Sequence, residues 1–199
     1  MEWSYVLIAV LAILVIVGIA ASLKARKLDA LHKNVTKSRV ALENALLARS
    51  QASTELALAG TVDMAGSILL ADVANEAREA AIYPIVDDGL DRIKIRDVDG
   101  KIHGGGPVPA EESPDRLNLE SELSRVLRLT VDELDCSELG QDAAALERLN
   151  ATRDSVRMTR RFHNIHVAQA RRERRKFLAR TFRLHGSAPA PRTVDLDDE

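Results

Sequence analysis

The pattern of apolar and polar positions changes character at Leu23. From Trp3 to Leu23, twenty-one residues in a row carry no charge, and the sixteen from Val6 to Ala21 are apolar apart from Gly18. At about 1.5 Å per residue, a helix of that length covers the roughly 30 Å hydrocarbon core of a bilayer. Beyond Leu23 the apolar residues thin to a stripe of Leu28, Leu31, Val35, Leu42 and Leu46, with Ser38 in the missing position. Steps of three and four predict an amphipathic helix, with Lys33, Lys37 and Asn44 on its outer side. No Pro or Gly intervenes before Gly60, so the membrane segment and the first helix beyond it are expected to form one rod. Arg49 falls on the next stripe position and blemishes the seam.

A second stripe runs through Thr61 to Ile82, with Val62, Ala65, Leu69, Val73 and Ala80 inward, Glu76 interrupting, and Ser67, Asn75 and Arg78 toward solvent. Gly60 either ends the first helix or weakens it by about 1 kcal/mol. Tyr83-Pro84 ends the second, because proline disfavours helical geometry in the residue before it. Residues 85–113 interleave Ile93, Ile95 and Val98 with charge around Asp99-Gly100, which predicts a short hairpin or irregular loop as a mobile insertion. Ser113-Pro114 restarts helix by capping side chain and first-turn proline, with Leu117, Leu119, Leu123, Leu127 and Val131 inward. A last rod is expected from near Asp142 to Leu184, where Gly186 stops it. The expected domains are 1–23 as a transmembrane anchor, 24–186 as the bundle, and 187–199 as a flexible acidic tail.

Composition adds the class. Apolar residues make up 46% of the chain but aromatics only 3%, and Ala, Leu and Val dominate, which suits long helices meeting along narrow, coiled-coil-like seams. The fold expected is all-α, with the N-terminal transmembrane helix continuing into an antiparallel cytoplasmic bundle of three or four long helices. Net charge is only -2, so no overall field draws in nucleic acid, and none is expected as a partner. The placement of charge is more telling. Lys24, Arg26, Lys27, Lys33, Lys37 and Arg39 crowd one flank of the apolar run, and no Lys or Arg precedes it. By the positive-inside rule the bundle is cytoplasmic and the N-terminus outside, with a retained anchor rather than a cleaved signal.

The two rods also carry a resemblance. Leu31-His32-Lys33-Asn34-Val35 through Arg39-Val40-Ala41-Leu42-Glu43-Asn44-Ala45, then Leu146 to Arg153 leading into Met158-Thr159-Arg160-Arg161-Phe162-His163-Asn164, resembles the LemA family over about half of the chain. Leu46 stands where that family has a tryptophan, Leu58-Ala59-Gly60-Thr61 replaces its aliphatic-proline-asparagine stretch, and its closing phenylalanine-proline is absent. The resemblance implies a membrane-anchored cytoplasmic helical bundle and carries over no catalytic residue.

Candidate chemistry is sparse. Cys136 is the only cysteine, which excludes an internal disulfide and four-cysteine zinc sites. No G-x-x-x-x-G-K, G-x-G-x-x-G or H-E-x-x-H occurs, and a calcium loop opening at Asp97 would place Val108 where glutamate is required. His163 and His166 share a helix face and need at least one further ligand to hold zinc. His103-Gly104-Gly105-Gly106 is similar to an esterase oxyanion loop, but no G-x-S-x-G nucleophile elbow accompanies it, so a membrane-bound hydrolase using Gly104–Gly106 stands as the rival to a non-catalytic scaffold. No catalytic, cofactor or metal residue is assigned. The strongest local signal is the basic run Arg171, Arg172, Arg174, Arg175, Lys176, Arg180 and Arg183. If the two rods pair antiparallel, Arg171, Arg172, Arg174, Arg175 and Lys176 join Lys24, Arg26 and Lys27 against an anionic inner leaflet. Asn34 and Asn164 are candidates for a polar contact between the rods. Expected partners are that lipid surface and other proteins or further copies of the chain.

Overall fold

The computed structural model describes residues 2–90, 95–96, 102–103, 115–132, 134, 143–184, 186 and 188–198. Helix α1, Glu2–Leu58, runs unbroken for 57 residues, about 85 Å at 1.5 Å per residue. Its first part is exposed all round, with Leu7, Ile8, Leu14 and Ile16 each more than half accessible, and it is long and apolar enough to cross a membrane. From Leu28 onward one face is covered: Leu28, Val35, Leu42 and Leu46 are buried, as their spacing predicts. Gly60 ends the helix rather than weakening it. Its φ of 76° lies in the left-handed region that glycine enters without a Cβ penalty.

Helix α2, Met64–Glu79, is capped by Asp63, whose carboxylate accepts the Gly66 N–H at 3.3 Å. A Cβ on Gly66 would lie 2.6 Å from that carboxylate and 3.3 Å from the Thr130 methyl, so only glycine lets the cap and the next helix approach together. The buried face is Gly66, Leu70, Val73, Ala74 and Ala77. It is turned one residue from the predicted stripe, leaving Ala65 and Leu69 exposed. Two overlapping three-four stripes were available, and the one without Glu76 is the one that packs. A single 3-10 turn, Ala80–Ile82, leads to Tyr83-Pro84.

Helix α3, Arg116–Thr130, is capped by Asp115, which accepts from the Asn118 N–H at 3.3 Å and its side-chain amide at 2.8 Å; Ser113-Pro114 lies outside the described residues. Leu123, Leu127 and Val131 are buried as expected, and Leu117 and Leu119 only partly. Helix α4, Ala143–Arg174, runs for 32 residues and stops ten short of the predicted Leu184, followed by a short α5, Phe177–Thr181. No Gly or Pro marks that break: the Arg175 N–H still bonds the Arg171 carbonyl at 3.2 Å, and helical geometry ends at Lys176, with a ψ of 144°.

Helices α1 and α4 pair antiparallel. Glu173 near the end of α4 bonds Lys27 near the start of the bundle at 3.2 Å, the Ser38 hydroxyl lies 3.0 Å from the His163 ring mid-way, and Arg148 bonds Glu55 at the far end at 2.5 Å. The core forms three tiers along this pair. The tier farthest from the span holds Leu56, Leu70, Leu123, Leu127, Leu146 and Leu149. The middle tier holds Leu42, Leu46, Ile85, Val86, Val156, Val194 and Leu196, and the nearest holds Val35, Leu90, Val167 and Ala170.

Two expectations for the connecting segments are corrected. Within 85–113, residues 85–90 pack into the bundle through Ile85, Val86 and Leu90. A two-residue antiparallel ribbon, Ile95–Arg96 with Ile102–His103, matches the hairpin expected there, while Asp99-Gly100 and Gly104–Gly106 fall outside the described residues. Residues 188–198 are no flexible tail: they lie extended on the bundle with Val194 and Leu196 buried, because their carboxylates meet arginines and their two aliphatic side chains fill the middle tier.

Candidate functional site: a buried charged seam and a basic collar

Two arginines of α1 are buried: Arg49, on the predicted stripe, and Arg39, which the sequence placed with the basic flank of the span. Arg39 is 1% exposed and donates to both oxygens of Asp88, at 2.9 and 2.5 Å. The same carboxylate accepts the Leu90 N–H at 3.1 Å and the Arg192 N–H at 2.9 Å. Burial pushes the Asp88 carboxyl up, but the Arg39 hydrogen bonds and charge outweigh it, with help from the two backbone N–H groups, and hold it below the usual carboxylate value. One buried anion thus joins α1, the loop after α2 and the closing segment.

Arg49, the residue that blemished the predicted seam, is 2% exposed. It donates to the Glu120 carboxylate at 2.8 Å, to the Glu120 carbonyl at 2.9 Å and to the Ser124 hydroxyl at 2.8 Å. Arg116, also buried, flanks the other oxygen of Glu120 at 3.7 Å and Glu43 at 3.5 Å, and donates to the Tyr83 carbonyl. Beside Arg49 is a cavity of about 10 Å³ lined also by Ser124, Leu127, Arg128, Arg153 and Asp198, the size of about one water.

His163 is fully buried on α4. Burial first, then the nearby Arg39 guanidinium, hold its ring pKa down to about 4 from 6.5, against smaller opposing contributions from Asp88 and the Arg192 and Val35 backbone. The ring is therefore neutral in the folded chain at neutral pH. Between pH 6.5 and about 4 the unfolded chain takes up a proton that the folded chain refuses, so stability is complete above 6.5 and falls as pH drops through that window. At about 1.4 kcal/mol per pH unit the loss is on the order of 3 kcal/mol. His163→Gln is expected to flatten this slope. Urea midpoints of both proteins, taken at neutral pH and near the bottom of the window, check it; an equal acid loss in both would refute the assignment.

The predicted membrane-facing residues divide. Lys24 and Lys27 reach Glu173 at 3.9 and 3.2 Å, and Lys176 reaches it at 2.7 Å; hydrogen bonds from Lys176, and then from Lys27, hold its carboxyl below the usual value. Both basic sets therefore sit at one end of the bundle, where the apolar part of α1 leaves it. Arg26, Arg172, Arg175 and Lys176 are exposed there with Phe177, which is 79% accessible. Arg171 and Arg174 are used otherwise. Arg171 donates to the Pro191 carbonyl at 2.7 Å, and Arg174 donates to the carbonyls of Pro189 and Ala188 at 2.9 Å each and lies 3.2 Å from the His32 ring. Burial lowers the Arg174 pKa.

Asn34 and Asn164 do not meet. Asn34 is exposed, while Asn164 donates to the Val194 carbonyl at 2.8 Å and accepts the Val194 N–H at 2.9 Å. His166 is part-buried, and among the described residues no cluster of three or more His, Cys, Asp or Glu side chains could hold a metal ion. Cys136 and Gly104–Gly106 lie outside the described residues. Sequence reasoning missed Asp88 and Glu120; Arg49 on the stripe was the signal that a buried acid had to exist, whereas Arg39 was counted with the basic flank. Comparison of the chain with protein-family models, with curated proteins and with solved structures gave no match.

Proposed function

We propose that this chain is a single-pass membrane-anchored helical bundle, acting without catalysis as a scaffold or protein-interaction module at the inner surface of the cell membrane, with its N-terminus outside. The observation that carries the reading is the continuity of α1: one unbroken helix joins the exposed apolar stretch to the bundle core, so the bilayer sets the bundle's orientation. At the junction, Arg26, Arg172, Arg175 and Lys176 with Phe177 form a collar facing the headgroups, where each basic residue contributes about 1 kcal/mol toward an anionic leaflet. Kinship with the LemA family belongs to the same proposal. Its support is that Arg39 and Asn164, two of the residues carrying the resemblance, are central to how α1, α4 and the closing segment hold together. Protein partners and self-association are part of the scaffold reading.

The bundle without residues 1–23 is expected to float with phosphatidylserine vesicles and not with neutral ones. Changing Arg26, Arg172, Arg175 and Lys176 to Gln is expected to weaken that binding by about a hundredfold, allowing for screening of the summed contributions. Flotation that ignores both lipid charge and these four residues would sink the collar reading.

A further inference from the structure

The closing segment lies on the bundle as a bound peptide lies in a receptor. It runs antiparallel to α4, and one polar face of that helix contacts it in order. Arg174 takes the Ala188 and Pro189 carbonyls, Arg171 the Pro191 carbonyl, Asn164 both backbone groups of Val194, and Arg157 the Asp198 carbonyl at 3.0 Å. These contacts read backbone and are open to any extended peptide. Selectivity comes from two other features. Val194 and Leu196, two apart, enter the middle tier of the core. Asp197 then meets Arg128 at 3.1 Å and Arg125 at 3.4 Å on α3, and Asp198 meets Arg160 on α4 at 2.8 and 2.6 Å. Hydrogen bonds from Arg128, ahead of those from Arg125, keep the Asp197 carboxyl below its usual value. Alongside, Arg157, Arg160, Arg161, Asn164 and Ile165 line an open depression of about 560 Å³.

We propose that this groove is a peptide-recognition site whose ligand class is an extended acidic peptide from a partner protein, with aliphatic side chains two residues apart followed by paired carboxylates, and that residues 188–198 are its displaceable resident. The assignment gives the interaction-module reading a class of partner and rests on it. Charge complementarity selects the occupant: three arginines from two helices, Arg125, Arg128 and Arg160, pair with two carboxylates, which a basic or neutral segment cannot satisfy. A resident tethered nearby acts at an effective concentration on the order of millimolar, so an external peptide binds only weakly until the resident is released.

The probe is a fluorescein-labelled peptide of residues 188–199, titrated against the full chain in detergent, where lipid contact plays no part and failure of the membrane reading is not confused with failure of this one. Val194→Asp with Leu196→Asp in the full chain frees the groove and is expected to raise affinity for the peptide at least about tenfold. Adding Arg160→Glu is expected to abolish the gain, and a peptide with both aliphatic residues changed to Ser is expected not to bind. A freed groove that binds no tighter than the unaltered chain, with helical circular dichroism retained, overturns the proposal. If that variant does not fold, the unaltered chain decides: excess peptide is expected to speed amide exchange at Arg192, Val194 and Asp197, and unchanged exchange overturns it. Dimers formed by trading this segment between copies, with peptide bound only as dimers part, assign the groove to a second copy and overturn the partner assignment.

Discussion

Asp88→Asn is expected to be among the most destabilising single changes in the chain, costing about 3–5 kcal/mol, the range for removing one partner of a buried ion pair. The aspartate satisfies a guanidinium that is 1% exposed and two backbone N–H groups from separate segments. An asparagine keeps one acceptor oxygen and no charge, so Arg39 is left as a buried cation beside His163. For a chain of this size the loss corresponds to a fall of roughly 10 °C in Tm, read by circular dichroism in detergent. Replacing Arg39 by Met in the same protein removes the stranded charge and is expected to recover part of the loss, since apolar substitutes for a buried pair are often close to neutral. Recovery stays partial because the single amide oxygen of the asparagine cannot replace the two carboxylate oxygens that accept the Leu90 and Arg192 N–H groups. A double-mutant cycle with additive losses would show that Arg39 and Asp88 are not coupled.

The legible parts of the fold were those encoded locally. The α1 rod follows from a span free of helix breakers, and its buried face from Leu28, Val35, Leu42 and Leu46. The α2 face was ambiguous because two stripes overlap, and tertiary approach at Gly66 chose between them. The end of α4 carried no Gly or Pro, so nothing in the local sequence marked it. Arg39 was counted with the basic flank and Arg49 blemished the inward stripe; their partners Asp88 and Glu120 lie 49 and 71 residues away, and spacing along one helix does not point across that distance. The closing segment hid for a related reason. Val194-Asp195-Leu196 is a period-two fragment too short to register as structure, and of the α4 residues that receive the segment, Arg171 and Arg174 were read as a membrane face and Asn164 as a contact between the rods.

Glu120→Gln is expected to match the loss at Asp88 and to exceed the loss caused by Arg49→Met. Glu120 is the anion between two buried guanidiniums: Arg49 donates to one of its oxygens at 2.8 Å and Arg116 lies 3.7 Å from the other. Burial lowers the Arg49 pKa, and the charge of Glu120 is the largest influence opposing it. Neutralising Glu120 therefore strands Arg49 and leaves Arg116 with Glu43 alone, at 3.5 Å, at a cost of about 3–5 kcal/mol. Arg49→Met leaves Glu120 still paired with Arg116 and fills much of the same volume with apolar atoms, so its cost should be nearer 1–3 kcal/mol, the range for one unsatisfied group. Guanidinium midpoints of the two variants give the order directly, provided their slopes match that of the unaltered chain. The reverse order would mean that Arg49 holds α3 mainly through Ser124 and the Glu120 carbonyl, at 2.8 and 2.9 Å, and that the carboxylate is secondary.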